Sequence, residues 1–208
     1  VLEQPPNERV ARVLLLALPL ALALAGCAPE KNPADVASGT RAARPRVALV
    51  MKSLANEFFL TMRQGAEAHQ KENADRYTLL ADGIPDERDV ARQQRLVEQM
   101  IAQKVDAIVL APADSKALAP VCKKALDAGV VVVNIDNRLD AAALKDLGIS
   151  VPFVGPDNRK GARAVAERLA AALKAHDRVA ILEGVPTAFN AQERKAGFEE
   201  GLRAADVK

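Results

Sequence analysis

"DAIVLAPADSKALAPVCKKALDAGVVVVNID", residues 106–136, carries a whole structural unit in its pattern. A short apolar run, "DAIVLAP", gives way to an amphipathic stretch, "SKALAPVCKKALDAG", and then to a second apolar run, "VVVVNID". Strand, crossover helix and parallel strand read in this way. Working outward toward the N-terminus, "RVALVM", "EFFLTMRQGAEAHQKEN", "YTLLAD" and "ERDVARQQRLVEQMIAQ" repeat the alternation. Strand starts near Val47, Tyr77, Asp106 and Val130 recur at about 24 to 30 residues, the length of a right-handed crossover unit. A second series follows: "VPFVG", a helix from about Asn158 to Ala175, "RVAILEG", and a helix from about Ala191 to Ala204. Between the series, "NRLDAAALKDLGIS" is polar and weakly periodic, and the first sheet is expected to hand over to a second there. The fold class is therefore α/β, in Rossmann-like parallel lobes, with the first lobe at residues 46–140 and the second from 141 to 208.

Half of the 208 residues are apolar, enough to build a core. The net charge of +2, from 29 Lys plus Arg against 27 Asp plus Glu, gives no basic surface for nucleic acid. Residues 1–27 read as an export signal: Arg9 and Arg12 precede "VLLLALPLALALA", Val13 to Ala25, which is too short to span a bilayer comfortably. The run ends in "LAGC", which resembles the lipobox of bacterial lipoproteins and makes Cys27 the expected lipidated residue and membrane anchor. Residues 28–45, rich in Pro, Ala and small polar residues, read as a flexible tether. The other cysteine, Cys122, falls on an amphipathic helix and reads as a small buried apolar residue. His69 and His176 lie on separate helices with no ligand spacing around them, so no metal is expected.

In an open parallel sheet, ligands bind outside the carboxyl ends of the strands, which directs attention to "KSLANE", "APADS", "NIDNR", "GPDNR" and "GVPTAFNAQER". Neither G-x-G-x-x-G nor G-x-x-x-x-G-K-S/T occurs, which removes the main support for a nucleotide, and there is no G-x-S-x-G elbow for a nucleophile. What stands at the strand ends is Asn56, Asp136, Asn137, Arg138, Asn190 and Arg194, beside Phe58 and Phe59. Directional donors and acceptors next to flat apolar rings suit a neutral polyhydroxylated ligand, whose hydroxyls both donate and accept and whose C–H face is apolar. From spacing alone, the two Phe also read as residues of a first helical turn packed inward, Asp136 as a turn residue, and Asn190 and Arg194 as a solvated helix face. Asp157 and Asn158 read as the N-cap pair of the next helix.

Taken in order, "RVALVMKSLANEFFLTMRQGAE", "DAIVLAPADSKAL", "VVVVNIDNRLD", "FVGPDNRKGA" and "NAQERKAGFEEGL" resemble the ribose-binding type of periplasmic solute-binding protein, the sugar-binding component of ABC importers, over about Arg46 to Val207. The resemblance implies the periplasmic-binding-protein type I fold, two Rossmann-like lobes with a monosaccharide or sugar alcohol clamped between them. It further implies no enzymatic activity, no cofactor, a permease as partner, and a place in the periplasm or on the outer face of the cytoplasmic membrane. Carried over by motif, the ligand contacts are Asn56, Phe58, Phe59, Asp136, Asn190 and Arg194. Where ribose binders show Asp-Arg, this chain has Asp136-Asn137-Arg138, so either Asn137 takes the donor's place or Arg138 reaches in. The third strand ends in Ala111-Pro112 where a polar Asn is common among ribose binders, which leaves another pentose, a hexose or a polyol open. Such proteins continue past the equivalent of Lys208, so a second lobe truncated at its C-terminus is expected. The alternative function is a sensory module presenting its loaded form to a chemoreceptor or histidine kinase.

Overall fold

The computed structural model describes residues 44–174 and 177–205; residues 1–27, read as an export signal ending in Cys27, residues 28–43 of the stretch read as a tether, and His176 lie outside them. Five parallel strands form one sheet in the order β2-β1-β3-β4-β5: β1 (Arg46–Met51), β2 (Thr78–Gly83), β3 (Ala107–Leu110), β4 (Val131–Ile135) and β5 (Phe153–Val154). The helices between them are α1 (Glu57–Glu72), α2 (Val90–Ala102), α3 (Ala119–Asp127) and α4 (Ala141–Asp146), and α5 (Asn158–Ala170) and α6 (Phe189–Ala204) follow. The α/β class expected from the alternation is the class observed.

A strand covered on both faces must be apolar along its covered length, and "VALVM", residues 47–51, is. Ala48 and Val50 face a core with Leu96, Val97, Met100, Val121 and Cys122 from α2 and α3. Leu49 and Met51 face the opposite core with Phe59, Met62 and Ala66 of α1. Burial pushes the Cys122 thiol up to about 12, so it behaves as the inert apolar residue expected. Among the described residues, no helix is long and apolar enough to cross a membrane.

Two parts of the second series differ from expectation. Phe153 and Val154 do not open a new sheet; they pair with Asn134 and Ile135 as the edge of the first. The polar stretch read as a handover folds instead into α4, capped by Asp140, whose carboxylate accepts from Ala143 N at 2.8 Å. The second difference is "RVAILEG", expected as a strand, which runs as irregular chain. Its apolar residues include an almost wholly exposed Leu182. A strand exists through its ladder, and this segment has no ladder partner among the described residues.

Helices α5 and α6 pack on each other through small residues. A Cβ at Gly201 would stand 2.6 Å from Arg163 O, and one at Gly197 would meet Arg159 O. The two backbones can approach this closely only without those side chains. Arg159 pairs with Glu200 across the seam, and Asp157 caps α5 by accepting from Lys160 N at 2.9 Å, the role expected of it.

Candidate functional site

The loop after β1 leads directly into α1. Asn56 is the N-cap, its side chain accepting from Phe58 N at 2.9 Å, and this fixes the first turn. Consecutive helical residues point about 100° apart, so the adjacent rings divide their work. Phe59 is 4% exposed and packs with Leu49, Met51 and Ala111, as the inward reading required, whereas Phe58 is 57% exposed. The rings meet edge to face, with centroids 5.1 Å apart.

The loop after β4 is pinned from inside. Asn134, fully buried, accepts from Leu139 N at 2.8 Å and donates to Asn137 O at 2.8 Å. Within that span Asp136 adopts φ 59°, a left-handed conformation that Asp tolerates better than most residues. Its side chain is 9% exposed, and its Oδ2 is buried with no hydrogen-bond partner. Desolvation pushes the Asp136 carboxyl above its ordinary 3.8, against the pull of Lys52 and Arg194. The Lys52 ammonium lies 3.7 Å from that Oδ2, too far for a hydrogen bond, and 3.3 Å from Glu87 Oε2.

Helix α6 supplies the facing wall. Asn190 is buried, and Arg194, one turn on, donates through Nε to Asn158 Oδ1 at 2.8 Å. Between these walls is a cleft of about 330 Å³ that brings together Asn56, Phe58, Phe59, Asp136, Asn190 and Arg194, with Lys52 and Glu87. Six of the seven contacts expected from the sequence thus share one cavity. The seventh, Asn137, does not line it. The left-handed turn at Asp136 sends the next side chain into the interior, where Asn137 is fully buried and donates to Pro112 O at 2.9 Å. Nor does Arg138 reach in; its guanidinium stacks on the Phe153 ring, 4.5 Å from the centroid.

Lys52 and Glu87 escaped sequence reasoning. Lys52 stood in a loop already singled out, immediately after an apolar strand, and that position was the available signal. Glu87 lies in "IPDERD", where a charge reads as solvated surface, and no local pattern marks it.

A doubly wound sheet with a polar, charge-balanced cleft at the carboxyl ends of its strands defines a class: the open α/β proteins, in which ligands bind at that end of the sheet. The chain belongs to the family described as a periplasmic binding protein domain, which matches residues 47–208. It is 58% identical over 201 residues to the D-ribose/D-allose-binding protein of Pseudomonas aeruginosa, covering 97% of this chain and 62% of that one. An ABC transporter solute-binding protein from Burkholderia multivorans superimposes with TM-score 0.79 at 64% identity, over 80% of this chain and 59% of that one. A periplasmic solute-binding protein from Actinobacillus succinogenes, solved with bound D-allose, superimposes with TM-score 0.71 at 40% identity, over 79% of this chain and 57% of that one. The chain therefore spans about three fifths of the length of these relatives, each of which is named as a binding protein and two of them as belonging to ABC transporters.

Proposed function

We propose that this chain captures a neutral monosaccharide or sugar alcohol outside the cytoplasm and delivers it to the permease of an ABC importer, held at the membrane by lipid on Cys27. The observation that carries the ligand reading is the Asp136 Oδ2: a buried carboxylate oxygen with no hydrogen-bond partner, on a residue that lines the cleft. An acceptor left unsatisfied by the protein is costly unless a ligand supplies the donor, and a sugar hydroxyl does so. The lining charges support neutrality, since Lys52 and Arg194 balance Glu87 and Asp136. Phe58 presents an exposed ring to the C–H face of a pyranose or furanose. Relatives named for ribose and allose favour those sugars as first candidates. In this reading the crossing between lobes falls near 155–157, just beyond β5, and α5 and α6 belong to the second lobe.

Ligand capture is tested by calorimetry and thermal shift of the chain with D-ribose, D-allose and polyols. A ligand at a hundredfold excess over Kd adds about 2.7 kcal/mol of stability and raises Tm by several degrees. A rise with an amino acid or nucleotide and none with any sugar or polyol refutes the reading. For the anchor, cells expressing the chain are labelled with radioactive fatty acid; incorporation is expected, and its persistence in Cys27→Ser would reject Cys27 as the lipidated residue.

A further inference from the structure

Helix α6 begins without a cap of its own. Its N-cap residue is Ala188, which has no side chain able to accept from the first-turn N–H groups. Those groups are instead met by residues far earlier in the chain. Phe189 N donates to Ser115 Oγ at 2.9 Å, and Asn190 N donates to Asn137 Oδ1 at 3.1 Å. Ser115 Oγ in turn donates to Asn137 Oδ1 at 3.4 Å, and Asn137 Nδ2 to Pro112 O. The backbone adds Ser115 N to Thr187 O at 3.2 Å and Asp140 N to Ser115 O at 2.8 Å. Ser115, Asn137 and Asn190 are all more than nine-tenths buried.

We infer that Ser115 and Asn137 are positioning residues: they cap α6 from the loops after β3 and β4 and so hold Asn190 and Arg194 opposite Asp136. Two loops of the sheet layer and the first turn of α6 form one hydrogen-bonded joint. The joint fixes the height and rotation of the helix that forms the far wall of the cleft. Asn137, adjacent to a cleft residue yet turned away from it, thereby acts on the site through α6 and not through a ligand. The inference rests on reading the cleft as the ligand site, but its test needs no ligand.

The experiment is residue-resolved amide exchange and carboxyl titration by NMR on the ligand-free chain. In Ser115→Ala, exchange at Phe189 and Asn190 accelerates by about fivefold, the factor expected for a lost cap. Amides of β1 and β3 are unchanged. A displaced α6 changes both the burial that raises the Asp136 carboxyl and the Arg194 charge that, with Lys52 and against Glu87, lowers it, so the Asp136 midpoint moves from its wild-type position. Ser115→Thr, which keeps the hydroxyl, restores both readings. Asn137→Ala, which removes the acceptor of the Asn190 N–H, accelerates exchange at Asn190 in the same way. Unaltered exchange at Phe189 and Asn190 in Ser115→Ala overturns the cap, and accelerated exchange with an unmoved Asp136 midpoint overturns the positioning role. Failure of wild-type chain to bind D-allose or any other sugar would overturn the sugar reading while leaving these two readouts to decide the joint.

Discussion

Replacing Asp136 by Asn keeps the shape of the side chain and the tolerance for φ 59°, and removes only the charge. Two effects separate. The ligand loses a charge-assisted hydrogen bond in a desolvated site, which costs about 2 to 3 kcal/mol, or roughly 30- to 150-fold in Kd. The free protein behaves oppositely. At 3.7 Å from Lys52 the gross attraction is about 4 kcal/mol at an effective dielectric of 20, yet desolvation is the larger influence and the carboxyl is pushed above 3.8. A carboxyl whose folded value lies above its unfolded value favours the fold below the unfolded value and loses that contribution as pH rises through the folded one. At neutral pH, then, Asp136→Asn leaves the ligand-free chain as stable as wild type or more so, and the difference closes as pH falls toward 3.8. Binding follows the ionised form, so wild-type affinity declines as pH is lowered through the raised midpoint, while the Asn variant is flat over that window. Calorimetric titration with D-allose or D-ribose and urea unfolding, followed from neutral pH down toward 3.8, measure both quantities. Reduced stability with unchanged Kd would refute the reasoning and return Asp136 to the role of a turn residue.

Phe58→Ala is expected to weaken binding by about tenfold at little cost in stability, whereas Phe59→Ala removes a core ring and costs about 3 to 5 kcal/mol of unfolding free energy, read from urea midpoints. Gly197→Ala places a methyl against Arg159 O and should destabilise the α5–α6 seam by about 1 to 3 kcal/mol, seen as faster exchange in both helices with the sheet unaffected. Cys122 should resist alkylation in native buffer at pH 8 and react only on unfolding, as mass spectrometry of iodoacetamide-treated chain would record.

How far the chain could be read in advance followed physical lines. Strands β1, β3 and β4 were legible because burial on both faces demands continuous apolar runs, and their spacing set the crossovers. Strand β5 was legible as extended chain but not as part of the first sheet, since two residues carry no information about which neighbour they pair with. "RVAILEG" has the composition of a strand, but composition cannot supply a partner. In the cleft, Asn56 and Asp136 were legible from their place at strand ends, whereas Asn190 and Arg194, which by spacing read as a solvated helix face and follow no strand, came from the family resemblance. Asn137 was misplaced because a left-handed residue reverses the direction of the next side chain, and nothing in "NIDNR" announces which of its residues takes that conformation. Lys52 and Glu87 were overlooked for a related reason: a charge becomes part of a site through what packs over it, and that is settled by residues far away in the chain.

The joint at the start of α6 also has a kinetic side. Its bonds from Phe189 to Ser115 and from Asn190 to Asn137 span 74 and 53 residues, against the 60 that separate the paired Val47 and Ala107 of β1 and β3. They join α6 to loops that β3 and β4 hold in place, so the joint depends on the sheet while the sheet's ladders do not depend on the joint. By that dependence they can give way in a partial opening, while the sheet and its two cores persist. The far wall of the cleft is therefore built upon the sheet and can be released from it without unmaking it.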